Sequence, residues 1–230
     1  MTEFLETSVF FGVIISFLAY GLGMLLNKKF KLPIFNPLLI SIVIIILFLM
    51  MTGIDYEIYE EGAKYISYLL TPATVCLAIP LYEQITLLKK NYKAILLGIL
   101  SGVLTSLLCV FIMAVILNLS HEEYVTLLPK SITTAIGIGV SEELGGYVTL
   151  TVAVIIITGI LGNMIAETVC KVFKITEPIA KGVALGTASH AIGTARANEM
   201  GKTEGAISGL SIAVAGLLTV VGTSVFAQFL

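Results

Sequence analysis

Leu128-Pro129-Lys130-Ser131-Ile132-Thr133-Thr134-Ala135-Ile136-Gly137-Ile138-Gly139-Val140 is the stretch on which the reading of this chain turns. It is apolar enough for a membrane yet short, it opens on a proline and a lysine, and it carries two glycines. If it crossed fully, Lys171, Lys174 and Lys181 would face away from the lysines upstream. If it enters and leaves on one side, all of these lysines collect together. Irregular backbone survives at membrane depth only where protein or water satisfies its polar groups. A re-entrant or broken helix over 126–143 is therefore expected.

The surrounding chain supports a membrane setting. Its 230 residues are 57% hydrophobic and 12% charged, with a mean hydropathy of +1.03. Soluble domains carry roughly a quarter charged residues, so too few ionic groups are present to cover a water-facing surface. A crossing helix needs about 20 apolar residues. About eight apolar runs fit that scale, near 8–26, 34–53, 64–82, 94–117, 126–140, 146–170, 179–197 and 205–230. The class expected is an all-α polytopic membrane protein with broken or re-entrant helices, forming one transmembrane domain over 1–230. The acidic start, Met1-Thr2-Glu3-Phe4-Leu5-Glu6, lacks the basic flank of a signal peptide, so the first run is expected to stay as a span. The net charge of −2 leaves no footprint for nucleic acid. Cys76, Cys109 and Cys170 form no ligand pattern and read as small packing residues.

Loop charge orients the spans. Lys28, Lys29 and Lys31, then Lys89, Lys90 and Lys93, mark cytoplasmic loops, whereas 54–62 and 118–125 lack Lys and Arg. The N-terminus is then outside. The run 34–53, the run 64–82 broken at Thr71-Pro72, and the glycine-bearing run 94–117 resemble 146–170, 179–197 and 205–230 taken in the opposite orientation. Units of opposite orientation, here 34–117 and 146–230, are the pattern of inverted-repeat transporters.

Ionisable groups inside spans are costly, so the exceptions carry information. Gly186-Thr187-Ala188-Ser189-His190-Ala191-Ile192-Gly193-Thr194-Ala195-Arg196 is small, polar and glycine-rich. One reading is an anion-binding hairpin. Thr187, Ser189 and Thr194 would supply hydroxyls, His190 could carry a coupling proton, and Arg196 could hold a carboxylate in a bidentate fork. The other is a tight helix crossing packed through small residues, with Arg196 at the interface. Around Pro72, which removes a backbone donor, Thr71 and Thr74 could meet a polar solute, or the proline could simply kink a helix. Lys130, with Ser131, Thr133 and Thr134, could enter the core, or the lysine could snorkel to the surface. Glu142 and Glu143 read as solvated loop charges or as partners for Lys130 or Arg196. Glu167 reads as lying near the headgroups, and Asn163 as interhelical glue. Enzymatic motifs are missing, so neither an enzyme nor a cofactor or metal is expected.

Leu70–Tyr82 (LTPATVCLAIPLY), Leu128–Thr134 (LPKSITT) and Gly186–Gly209 (GTASHAIGTARANEMGKTEGAISG) carry a resemblance to the LrgB/CidB family over essentially the whole chain. Where many relatives continue LPKSITT with proline, this chain has Ala135. The resemblance implies a transporter-like inverted-repeat fold and two functional pictures. One is an antiholin-like modulator of murein hydrolase activity and autolysis, acting with an LrgA- or CidA-like small membrane protein. The other is a carrier of small monocarboxylates, as bacterial pairs are linked to pyruvate and the related plant chloroplast protein exchanges glycolate and glycerate. The expected function is a monocarboxylate carrier in the bacterial cell membrane. It would work with an LrgA/CidA-like partner, with a coupling proton or sodium ion, and as a homodimer.

Overall fold

The computed structural model describes residues 10–30, 35–69, 72, 75–76 and 78–230. The described residues are all-helical, and four helices are long and apolar enough to cross a membrane: Phe11–Phe30, Ile85–Leu117, Val148–Val172 and Lys202–Phe229. Their outward residues, such as Leu97, Leu104, Leu108, Leu161 and Leu217, are large, apolar and exposed, which suits lipid rather than water. The chain is a polytopic membrane protein. It divides into two compact units, 1–76 and 77–230.

The first unit holds α1 (Phe11–Phe30), α2 (Pro37–Thr52) and α3 (Tyr56–Ser67). Asn36 caps α2 by accepting from the amides of Leu38 and Leu39, with Pro37 in the first turn. Gly53 ends it at φ 69°, in the left-handed region that favours glycine. Gly23 sits against Pro37 and Phe11 against Phe48, so α1 and α2 run antiparallel. The run 64–82 is expected to break at Thr71-Pro72, and that break lies largely outside the described residues. The acidic loop before it already winds into α3, which stops at Ser67, and a new helix, α4 (Ala78–Glu83), opens the second unit. Thr71 and Thr74 lie outside the described residues.

The second unit continues with α5 (Ile85–Leu117), α6 (His121–Leu127), α7 (Thr134–Leu144), α8 (Val148–Val172), α9 (Pro178–Met200) and α10 (Lys202–Phe226). On α5, Ile95, Ile99, Val103, Leu107, Val110 and Ala114 recur at helical spacing and form the core stripe with Ile207, Ala215 and Phe226 of α10. Leu88 and Ile95 neighbour Leu210 and Val214, while Leu107 neighbours Gly222. Hence α5 and α10 run parallel. α8 runs against them, with Thr151 bonded to Thr126 at one end and Glu167 to Arg196 at the other.

α6 and α7 form a hairpin. The Thr151 hydroxyl donates to Thr126 O at 3.0 Å and lies 2.8 Å from the Ser141 hydroxyl, and Pro129 faces Gly137. The arms therefore oppose each other about a tip at 128–133. With 7 and 11 residues the arms reach about 10 and 17 Å, well short of a crossing.

α9 is a second hairpin, the first of the two readings of 186–196, although the run 179–197 counts among the expected spans. Its helical dihedrals fail at Ser189 (φ −132°, ψ 15°) and His190 (φ 42°, ψ −137°). Before the break, Gly182 meets Glu204 and Ile207, and Gly186 meets Ser208 and Ser211. After it the order along α10 reverses, with Thr194 on Ser208 and Asn198 on Gly205. The chain therefore returns to the side it came from. α10 then starts at the same end as α5, not at the opposite end implied by a crossing. That end gathers Lys89, Lys90, Lys93, Lys171, Lys174, Lys181 and Lys202, and the other gathers Glu122, Glu123, Glu142 and Glu143. Within this unit a crossing helix followed by a hairpin occurs twice in opposite senses, over 85–144 and 148–200.

Candidate functional site

The two hairpin tips approach α5 from opposite ends. Gly98 meets Val183 and Gly102 meets Thr187, both from the second hairpin. One turn further on, Ser106 Oγ lies 3.3 Å from Ser131 Oγ on the first. α5 has 33 residues and a length of about 50 Å, so the tips converge near its middle. Between them lies a cavity of about 820 Å³.

One helical face of α5 forms the first wall: Ala94, Gly98, Ser101, Gly102, Thr105, Ser106 and Cys109. Small side chains leave the space, and three hydroxyls give it polarity. Lys130 and Ser131 from the first tip close one side, with Lys130 Nζ donating to Ser131 Oγ at 3.0 Å. The first arm of α9, from Ile179 to Ala188, supplies the opposite wall. Thr187 is 5% exposed, and its Oγ1 is the one buried side-chain polar atom without a hydrogen-bond partner among the described residues. A buried hydroxyl left unpaired costs roughly 1–3 kcal/mol. Cys109, read as a packing residue, borders this space.

The helix ends add directed polarity. Beyond each tip a helix begins at mid-depth: α7 after Thr133, and the second arm of α9 after His190. The first amides of a helix lack intrahelical partners and attract negative charge. Thr133 caps α7 through its backbone only, and neither it nor Thr134 lies on the cavity wall.

The other expected site residues hold the second tip in place. Ser189 is buried against Gly162 of α8. His190 is 3% exposed, and its Nε2–H donates to the Ile155 carbonyl at 3.0 Å, which fixes the tautomer with the proton on that nitrogen. Thr194 Oγ1 donates to His190 O at 3.0 Å and lies 2.7 Å from Ser208 Oγ. Asn163 Nδ2 donates to Ile192 O at 2.9 Å, matching its reading as interhelical glue. Arg196 is away from the cavity wall and forms ion pairs with Glu167 and Glu199. Glu142 and Glu143 are exposed and take no part in that network.

So Lys130, Ser131 and Thr187 share one cavity, while Ser189, His190, Thr194 and Arg196 support the hairpin behind it. The face of α5 escaped the sequence reading. Its signal was present as hydroxyls and small residues at helical spacing within an apolar run.

The LrgB-like family model matches residues 16–229. Proteins named antiholin-like protein LrgB from Bacillus cereus and from Bacillus anthracis are each 39% identical over 222 residues, covering 96% of this chain and 96% of theirs. No solved structure matches the chain. With the quoted motifs lying inside a match of nearly full length, the chain belongs to the LrgB-like family.

Proposed function

We propose that the protein is a membrane carrier for a small monocarboxylate anion. The observation that carries this reading is the meeting of two opposed re-entrant hairpins over one cavity that holds Lys130, Ser131 and Thr187 near the middle of α5. Inverted, discontinuous helices that end at the midplane are the usual construction of secondary transporters, with helix N-termini directed at anionic groups. Each hairpin stands between the cavity and one end of the unit. Movement of one and then the other would open the site to alternate sides.

In this reading the lysine-rich end is cytoplasmic by the positive-inside rule. The N-terminus is outside, and the membrane is the bacterial cell membrane. A proton or sodium ion supplies coupling, an LrgA/CidA-like protein is the working partner, and the functional unit is a homodimer.

A second reading is favoured by the names of the relatives. As an antiholin-like regulator, the protein would control murein hydrolases through its partner, and the cavity would be incidental. Reconstitution separates the two. Proteoliposomes with and without the partner, under imposed proton and sodium gradients, are expected to show saturable uptake of labelled pyruvate or glycolate. Absence of saturable uptake in every condition would remove the carrier reading.

A further inference from the structure

We propose that the anion is anchored at two points, its carboxylate on Lys130 and a second polar atom on the Thr187 hydroxyl. With a single cation at this depth, the site would select monoanions over dianions. This rests on the carrier reading and specifies its ligand contacts.

Two observations identify the anchors. Among the described residues Lys130 is the only cationic one lining the cavity, its Nζ donates to Ser131, and no carboxylate lies within ion-pair distance of it. Thr187 Oγ1 is buried and unpartnered on the facing wall. A half-buried ammonium and a buried orphan hydroxyl are both satisfied by one ligand with an anionic end and a polar group. Ser131 and Thr187 contact α5 one turn apart, at Ser106 and Gly102, which separates the anchors by about 6 Å along its axis. That spacing suits a short free carboxylate. Lipid headgroups sit at the interface, away from the middle of α5.

The charge balance gives the selectivity. The other charged residue lining the cavity is Glu177, at the N-cap of α9 toward the lysine-rich end. Between it and Thr187 the wall is Ile179, Ala180, Val183 and Ala184. A monoanion is neutralised by Lys130. The second carboxylate of a dianion finds this apolar wall and no second cation. Arg196, already held by two carboxylates, offers it no counter-charge.

The test uses purified full-length protein, with labelled pyruvate in equilibrium binding and proteoliposome uptake. Lys130→Gln is expected to weaken binding about tenfold or more, as loss of a charged hydrogen bond does, and Lys130→Arg is expected to restore part of it. Thr187→Val is expected to weaken binding about threefold to tenfold while thermal unfolding stays level or rises, because it removes an unsatisfied buried hydroxyl. A purely structural threonine would not separate these readouts. Malonate is expected to compete about tenfold less well than pyruvate or more weakly still, for want of a second cation at membrane depth. Wild-type affinity in both Lys130→Gln and Thr187→Val, or equal competition by malonate, would overturn this assignment and leave the carrier reading standing. Failure of the wild type to bind or take up pyruvate, lactate or glycolate would overturn both. If Lys130→Gln fails to insert, Thr187→Val alone decides the anchor.

Discussion

The two hairpins reach the same depth by different means. The first turns over six residues, 128–133, in a tip that includes Pro129, which has no amide to lose. Local bonds fill the turn, from Lys130 N to Leu127 O and from Ile132 N to Pro129 O. Its ends are also marked locally. Ser120 and Glu123 form a capping box before α6, and Gly145 closes α7 at φ 78°. The second hairpin turns in two residues, with neither proline nor glycine at its corner. His190 sits at φ 42° there, a conformation costing a non-glycine residue roughly 1–3 kcal/mol. It persists because α8 holds it: Ile155 O accepts from His190, and Gly162 leaves room for Ser189. One turn is encoded by its own residues, and the other is imposed by a neighbouring helix.

The sharpest way to break this contrast is to add a methyl group under each hairpin. A Cβ at Gly162 would lie 1.7 Å from Ser189 Oγ and 2.7 Å from Ser189 Cβ, so the tip would have to lift. Gly162→Ala is expected to lower stability by about 2–3 kcal/mol, the upper range for overpacking, in thermal unfolding of the detergent-solubilised protein. A Cβ at Gly137 would instead meet Ile155 Cδ1 at 2.4 Å, the far end of a flexible side chain. Gly137→Ala is expected to cost under about 1 kcal/mol. Equal losses would mean that both hairpins depend on α8 alike.

Substitution of the corner residue comes next in size. His190→Ala keeps the strained dihedral and loses the bond to Ile155, and it is expected to cost about 2 kcal/mol. His190→Gly loses the same bond but accepts φ 42° without a Cβ penalty. It is expected to be about 1 kcal/mol more stable than the alanine variant. The reverse order would show that the dihedral carries no strain. On the first hairpin, Ser120→Ala removes one half of the capping box and is expected to cost about 1 kcal/mol. The loss should appear as faster amide exchange confined to 121–127, with α9 unchanged.

The same contrast explains what could be read from the sequence. Pro129 and the side on which Lys171, Lys174 and Lys181 must lie made the first hairpin legible before any coordinates. For the second, a hairpin was one of two readings, but its corner was hidden, because its glycines invite the wrong inference. Gly186 and Gly193 look like hinges but lie within the helical arms, where they permit close contact with Ser208 and with Leu185 O. The residue that turns the chain is a histidine, and only contact with α8 makes that conformation affordable. Arg196 drew attention as a lone arginine in an apolar stretch. Glu167, 29 residues earlier in sequence, becomes its partner only once α8 and α9 pack. Lys130 and Thr187 were candidates by chemistry, but their sharing of one cavity follows from two tips meeting on α5.

The smallest effect is expected where the second hairpin has an ion pair and the first has none among the described residues. Arg196 joins the returning arm of α9 to α8 through Glu167, which also contacts Lys171. The side chains of Arg196 and Glu167 are 31% and 43% exposed, so water screens the pair. Exposed pairs contribute about 0–1 kcal/mol. A double-mutant cycle with Arg196→Gln and Glu167→Gln is therefore expected to give a coupling below about 1 kcal/mol, and salt should reduce it. If the coupling exceeds that range and resists salt, the returning arm is clamped electrostatically at the lysine-rich end. The corner at His190 would then no longer be the main support of the turn. A small, salt-sensitive coupling instead leaves the packing of Ser189 and His190 on α8 as what holds the second hairpin at the depth of the first.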